Sequence, residues 1–211
     1  MRLFYACLLV LGLCSTAVSA QVELSIYGGT ALVSDSQIRA DVDGLPTSVD
    51  LTSGWTSDNN SGLRLTYWQN DQVGFGFDLN TANVTAKPED IAGSGLDAVG
   101  FGGNASLLTI NAYRRWEQAD PRVTPYIGAG LGVSIPVATL EGGTTSVNSR
   151  RATGPAMQVI AGARYSIANN LSVFGEVQSS YAINAAEFES GSTLETTILS
   201  NGLNFGIALG F

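Results

Sequence analysis

Apolar and polar residues alternate with a period of two along much of the chain, and the alternation is clearest in the last nine residues. The large apolar positions of that stretch are Leu203, Phe205, Ile207, Leu209 and Phe211. The residues between them are asparagine, glycine and alanine. A period of two predicts a β-strand with two unlike faces. The apolar face is continuous, so it must meet either a protein core or lipid.

The same alternation predicts eight strands. They cover residues 22–27, 63–68, 73–80, 106–116, 125–137, 157–165, 171–183 and a last strand after Glu195. Short turns are expected at 70–72, 117–122 and 168–170, and long polar links at 34–60, 86–103, 141–153 and 184–195. Strands joined alternately by short turns and long links are typical of an eight-stranded antiparallel transmembrane up-and-down β-barrel, with short periplasmic turns and long outer loops.

A soluble eight-stranded barrel of the lipocalin type is the alternative, because its strands would alternate equally well. The composition of the second face favours the membrane barrel, since that face carries glycine and charged residues while the first is almost wholly apolar. Aromatic residues near the ends of strands at the short turns also favour it, because aromatic girdles lie at membrane interfaces. These residues are Tyr67, Trp116, Tyr165 and Phe211.

The predicted inward face carries several charges. They are Glu23, Arg64, Asp78, Arg164 and Glu176. The interior of an eight-stranded barrel is just wide enough to be filled by side chains. Unpaired charge there is costly, so we expect a neutralising network in which each arginine is flanked by carboxylates. A proton or ion path through the lumen is the functional alternative.

Gly128, Gly130 and Gly132 resemble a dinucleotide-binding loop only superficially. That loop joins a strand to a helix, whereas these glycines keep strand spacing between apolar neighbours. They are expected to relieve crowding inside a narrow barrel.

The first twenty residues have the pattern of a secretory signal peptide. Arg2 precedes a short apolar run, and 17–20 form a small-x-small cleavage site. Cleavage after Ala20 would leave 21–211 as one outer-membrane barrel domain. Lipid attachment at Cys14 is an alternative.

The cysteine and histidine content excludes several chemistries. Cys7 and Cys14 both precede Gln21, which excludes disulfides in the exported domain. The chain has no histidine, which excludes Ser-His-Asp catalysis and histidine-ligated metals.

Acidic residues dominate the exported part of the chain. From Gln21 onward it has nine basic and eighteen acidic residues, which argues against nucleic acid as a partner. The predicted outer links hold most of the acid: Asp35, Asp41, Asp43, Asp50, Asp58, Glu89, Asp90, Asp97, Glu141, Glu187, Glu189 and Glu195. A solvated, repulsive surface is one interpretation. Divalent-cation binding near lipopolysaccharide phosphates is the other, and Arg150 and Arg151 are candidates for direct contact with lipid phosphate.

Several stretches carry a resemblance to known families. The terminal strand, with Phe205, Ile207, Leu209 and Phe211, is similar to the C-terminal signal that barrel-assembly machinery reads in bacterial outer-membrane barrels. The overall pattern resembles the superfamily of OmpA-like and OmpW-like barrels. The narrower resemblance is to lipid A oxidase-like barrels of alphaproteobacteria, through LSIYGG (24–29), GFGFDLN (74–80), TPYIGAGLGVSIP (124–136) and GSTLET (191–196).

The narrower resemblance implies oxidation of the proximal glucosamine of lipid A to aminogluconate, with oxygen and a metal. Members of that family carry a histidine just after the third strand, where this chain reads NTAN (80–83). A redox metal would therefore need oxygen ligands alone. Asp78 and Glu176 would be the candidate catalytic residues, and a divalent metal the candidate cofactor.

Three functions therefore stay open. The first is a structural or surface-interaction barrel, integral to the bacterial outer membrane, whose partners are outer-membrane lipid, lipopolysaccharide and the assembly machinery. The second is a lipid A-modifying enzyme, and the third is a narrow pore.

Overall fold

The computed structural model describes residues 21–41, 49–57, 59–102, 107–118, 120–142, 145–188 and 191–211. The predicted signal peptide, with both cysteines, lies outside these residues. The strands, numbered in chain order, are β1 (Gln21–Val33), β2 (Ser36–Asp41), β3 (Val49–Ser53), β4 (Trp55–Ser57), β5 (Asn59–Trp68), β6 (Val73–Thr81), β7 (Val84–Ala86), β8 (Leu96–Gly102), β9 (Leu107–Arg115), β10 (Val123–Ser134), β11 (Val137–Gly142), β12 (Thr145–Arg151), β13 (Gly154–Ala168), β14 (Leu171–Glu187) and β15 (Thr193–Gly210). A short helix, α1, spans Pro88–Ile91.

Eight antiparallel strands close into a barrel, which confirms the predicted fold class. Their order around the wall is β1, β5, β6, β9, β10, β13, β14 and β15, and β15 pairs with β1 to close the wall. Closure pairs the edges that an open sheet would leave exposed.

The predicted facing of the strands is confirmed. In β6, Phe75 and Phe77 are about half exposed, whereas Asp78 is buried. In β9, Ile110 is exposed and Asn111 is buried. The outward face of the barrel is therefore apolar and its inward face polar, the reverse of a soluble barrel.

The prediction of the long links as polar loops was wrong in large part. Residues within 34–60, 86–103 and 141–153 form β2–β4, α1, β8, the end of β11 and β12, and much of 184–195 continues β14 and β15 beyond the barrel. A second sheet has the order β12, β11, β8, β7 and β4, while β2 and β3 extend the barrel sheet from β15. We refer to β2–β4, β7, β8, β11, β12, α1 and the adjoining ends of β14 and β15 as the cap.

The cap has its own apolar core. Its buried side chains are Ile38, Ala40, Trp55, Val84, Ala86, Ile91, Leu96, Val99, Phe101, Ala138, Ala152, Ala186, Phe188, Leu194 and Ile198. These residues come in short alternating runs, such as Ile38 with Ala40 and Val99 with Phe101, separated by aspartate, glycine and serine. Runs this short are hard to distinguish from loop sequence, because they become a core only when a second sheet packs against them.

The predicted strand ends also differ from the observed ones. The fifth strand was predicted to reach Val137, but β10 ends at Ser134. Pro136 lacks the N–H that would continue the ladder, and the chain resumes as β11 in the other sheet.

Replacement of Val99 by aspartate is expected to unfold the cap and leave the barrel intact. Val99 is fully buried in the cap core, and an unpaired buried carboxylate costs about 4 kcal/mol or more. We expect proteinase K to cut the variant within the cap in lipid vesicles, while the barrel still shifts its gel mobility on boiling. Thr52→Asp, at an exposed cap position, should stay resistant. Cleavage of both variants alike, or of neither, would contradict an independently packed cap.

Within the residues that the structure describes, no helix is both long and apolar enough to cross a membrane.

Candidate functional site

The centre of the lumen is occupied by Arg64, held between two carboxylates. Its terminal nitrogens donate to both carboxylate oxygens of Glu176 at 2.8 Å, and its Nε donates to Asp78 at 2.9 Å. All three side chains are almost fully buried. Bidentate bonding of this kind gives a strong, directional ion pair. The arginine joins β5 to β6 and, across the barrel, to β14.

Aromatic rings surround the same guanidinium group. The carbon Cζ of Arg64 lies 5.1 Å from the ring centre of Tyr27, 5.4 Å from that of Tyr113 and 6.0 Å from that of Phe174. Two tyrosine hydroxyls also hold the carboxylates, because Tyr27 donates to Asp78 at 2.7 Å and Tyr126 donates to Glu176 at 2.6 Å. The rings lie close to the cation, and the two hydroxyls complete the hydrogen bonding of the carboxylates.

On the cap side of Arg64, amide side chains form a belt around the lumen. Each donates to the next in the order Asn80, Asn60, Asn204, Gln178, Gln158, Asn111 and Thr109, over distances of 2.6–3.0 Å. We name these residues the amide belt. It crosses β5, β6, β9, β13, β14 and β15. A continuous chain of hydrogen-bonded amides that ends on the Thr109 hydroxyl fixes the lumen side chains in one arrangement.

Two glycines leave space for the side chains of the amide belt because they have no Cβ. A Cβ on Gly130 of β10 would lie 2.0 Å from Oδ1 of Asn111, and one on Gly29 of β1 would lie 2.6 Å from Oδ1 of Asn204. A Cβ on Gly128 would likewise meet the Tyr113 ring at 2.5 Å. The predicted role of the 128–132 glycines, relief of crowding in a narrow barrel, is confirmed.

The end of the lumen at the short turns holds a second layer of charge. Arg164 donates to both carboxylate oxygens of Glu23. Arg115 packs over Trp68, with its Cζ 4.0 Å from the ring centre, and its Nε donates to the carbonyl of Asp71 at 2.7 Å. A polar opening of about 230 Å³ at this end is lined by Glu23, Arg115 and Arg164.

Arg115 is a lumen residue that the sequence analysis missed. It follows Thr109, Asn111 and Tyr113 at the inward parity of β9, so continuing the alternation by one step would have found it. With Arg115 included, the lumen has three carboxylates, those of Glu23, Asp78 and Glu176, and three guanidinium groups, those of Arg64, Arg115 and Arg164.

The cavities along the lumen are small. A space of about 80 Å³ separates the amide belt from the cap core. Between the two charge layers lies a space of about 10 Å³, room for roughly one water molecule. Three buried donors on its wall have no hydrogen-bond partner in the described part of the chain: Trp68 Nε1, the Tyr113 hydroxyl and Arg164 Nε. A bound water would satisfy such donors.

The predicted lumen charges thus lie together in two clusters, Arg64 with Asp78 and Glu176, and Arg164 with Glu23. The side chains of Arg150 and Arg151 lie outside the described residues, although their backbone pairs with β11. Asp43, Asp58 and Glu189 also lie outside them. Among the residues described, no three His, Cys, Asp or Glu side chains gather closely enough to hold a metal ion.

The apolar residues of the last strand lie on the outward face. The exposed side chains are Phe205, Ile207, Leu209 and Phe211. Their exposure leaves this face free to contact lipid or another strand.

Comparison with known proteins gives a family and a set of similar folds. Residues 6–210 match the family model described as outer membrane protein beta-barrel domain. No curated protein matches the chain. The solid-state NMR structure of the outer membrane protein AlkL in DMPC bilayers is 14% identical, with 94% of each chain covered and a TM-score of 0.52.

Two crystal structures are also similar. Neisserial surface protein A is 14% identical, with 91% of this chain and 97% of that chain covered and a TM-score of 0.46. The N-terminal β-barrel domain of Pseudomonas aeruginosa OprF is 14% identical, with 90% and 97% covered and a TM-score of 0.45. The family match spans nearly the whole chain and agrees with the closed barrel and its apolar outer wall. The protein therefore belongs to the outer membrane protein beta-barrel domain family and is an integral protein of the bacterial outer membrane.

Proposed function

We propose that this protein is a closed, non-conducting barrel that anchors a folded β-cap at the outer surface of the cell. The role is structural and interactive, with the cap as the surface that meets other molecules. Outer-membrane lipid and lipopolysaccharide are its proposed neighbours. The barrel-assembly machinery is proposed to read the last strand, through Phe205, Ile207, Leu209 and Phe211.

The filled lumen carries this proposal. An ion would have to displace the Arg64 ion pairs, the aromatic rings around them and the amide belt in turn. Breaking a buried ion pair costs about 3–5 kcal/mol, and each amide left unpaired in the belt would add about 1–3 kcal/mol. The free-energy barrier to ion permeation therefore includes the cost of breaking the ion pairs and the cost of each amide left unpaired.

Planar-bilayer recording tests the closed lumen. We expect no steady conductance above the lipid background from the wild-type chain at 1 M salt or below. The same preparation must contain folded barrel, shown by a gel mobility that changes on boiling. A stable single-channel current from the wild-type protein would overturn the proposal and favour the pore.

Surface presentation of the cap is tested by single-cysteine labelling. The chain from Gln21 onward has no cysteine, so each introduced thiol is unique. Asp97→Cys, at an exposed cap position, should react with a membrane-impermeant maleimide on intact cells. Asn169→Cys, in an exposed short turn, should react only after the outer membrane is opened. The parent chain is the unlabelled control, and the reverse labelling pattern would contradict an outward-facing cap.

The second candidate function, oxidation of the proximal glucosamine of lipid A, rests on the sequence resemblance. Asp78 and Glu176, its candidate catalytic residues, both bind Arg64 and are buried in the lumen. The acids of the described residues do not form a metal-binding group, so the residues described do not fit the metal that this reaction implies. Mass spectra of lipid A from cells with and without the protein test this candidate, because an unchanged mass removes it.

A further inference from the structure

A β-bulge opens a groove on the outer wall of the barrel where the cap begins. β1 pairs with β15 up to Val33, opposite Ser200, and β2 resumes the pairing with Ile38 opposite Thr196. Residues 34–37 thus face 197–199, and the extra residue makes a bulge. The amide of Ser34 donates to the carbonyl of Leu199 at 2.9 Å, which fixes the bulge in place.

The bulge reverses the facing of the chain. Leu32 of β1 points outward and is 77% exposed, whereas Ile38 and Ala40 of β2 are fully buried in the cap. Gln37 and Arg39 consequently point outward. A concavity of about 600 Å³ lies between them and the outward face of β14 and β15, a size typical of ligand-binding clefts.

The floor of this groove is apolar and continues the lipid-facing wall. Tyr181, Ile183 and Leu199 line it, and each is about two-fifths exposed. A tilted strand rises about 2.5 Å per residue along a barrel axis. The apolar row of β14 from Leu171 to Ile183 therefore covers about 30 Å, the thickness of the hydrocarbon core. The groove thus lies at the level where acyl chains meet lipid headgroups.

The rim of the groove is polar and acidic. Asp35, Asp50 and Glu195 line it together with one cation, Arg39. Arg39 is 3.4 Å from Asp50, and both side chains are more than half exposed. The excess of carboxylates repels a bare phosphate. Carboxylate, amide and hydroxyl groups instead suit the hydroxyl groups of a sugar, which can donate to the acids.

We infer that this groove binds a membrane glycolipid, with the acyl chain along Tyr181, Ile183 and Leu199 and the sugar at the acidic rim. The inference depends on the membrane location and not on the closed lumen. A lumen that conducted would leave it unchanged, so the two proposals fail separately.

Native mass spectrometry from lipid nanodiscs tests the inference. The full chain is reconstituted in DMPC nanodiscs that contain equal small amounts of diglucosyl diacylglycerol and phosphatidylglycerol with the same acyl chains. We expect the ejected protein to retain the glycolipid about tenfold more often than phosphatidylglycerol, a difference of about 1.4 kcal/mol. Equal retention of the two lipids, or preference for phosphatidylglycerol, would overturn the inference.

Two variants locate the site. Ala185→Trp fills the groove from an exposed lining position and should lower glycolipid retention about tenfold. Ala161→Trp, on the exposed wall of β13, is the matched control and should leave retention unchanged. Asp35→Asn with Glu195→Gln should remove the preference over phosphatidylglycerol without changing the groove's shape. Wild-type retention and selectivity in both groove variants, each verified as folded by its heat-dependent gel mobility, would contradict the assignment.

Discussion

Replacing Arg64 with methionine is expected to lower the free energy of unfolding by about 3–5 kcal/mol, because it leaves two buried carboxylates without their counter-ion. Arg64 is the only cation among the described residues that bonds to Asp78 and Glu176. Methionine keeps most of the side-chain volume, so the loss reports charge and hydrogen bonding instead of a cavity. Tyr27 and Tyr126 would still donate to the carboxylates, but two neutral hydroxyls cannot balance two negative charges.

Urea titration of the folded barrel in lipid vesicles measures this effect. Arg39→Met is the matched control, since it removes an exposed ion pair at 3.4 Å and such pairs contribute about 1 kcal/mol or less. A variant that combines Arg64→Met with Asp78→Asn and Glu176→Gln should recover part of the loss, because it removes the unpaired charge. If Arg64→Met and Arg39→Met unfold at the same urea concentration, the lumen ion pairs do not hold the barrel together.

Replacing Gly132 with alanine is expected to destabilise the barrel by about 3 kcal/mol, the upper part of the range for overpacking a well-packed interior. A Cβ at this position would lie 1.9 Å from the carbonyl oxygen of Leu108 on the neighbouring strand β9. The obstacle is backbone, so no side-chain rotation relieves the contact. Strands β9 and β10 must then move apart and weaken the ladder that joins them.

The control is Gly28→Ala, on the outward face of β1, where the new Cβ would lie 3.6 Å from its nearest neighbour. That substitution makes an ordinary contact and should be close to neutral. Both variants are refolded into vesicles, and their urea midpoints are compared with that of the wild type. Similar midpoints for Gly132→Ala and the wild type would show that β9 and β10 lie further apart than the structure has them.

The lumen residues were predictable because they depend on strand parity alone. Period-two alternation assigned Glu23, Arg64, Asp78, Arg164 and Glu176 to the inward face. In the structure four of them are buried, and the partly buried Arg164 is paired with the buried Glu23. The partner of each charge was not predictable. Glu176 is 112 residues from Arg64, and Glu23 is 141 residues from Arg164. Two side chains on opposite walls can pair only if they lie at the same height along the barrel axis. That height depends on the stagger of all the strands, which cannot be read from the sequence of any one strand.

The cap was missed for a related reason. Its strands are short, such as β4 at three residues and β7 at three, and their alternation is interrupted by aspartate, serine and glycine. Such segments bury apolar side chains only when a second sheet folds over them. No single segment therefore shows, in its own sequence, that it belongs to a core. The groove at the bulge was equally hidden, because it results from one extra residue opposite 197–199 and not from any motif.

The sequence by itself determined the closed eight-stranded wall, its apolar exterior and the charged residues of its interior, since each of these follows from alternation and turn spacing. Only the tertiary structure decided how the interior charges pair, that amides from six strands join into a belt, and that the outer links pack into a cap above a lateral groove. The physical reason is the same in each case. Facing is a local property of a strand, whereas height, pairing and enclosure are set by how distant strands are staggered against one another.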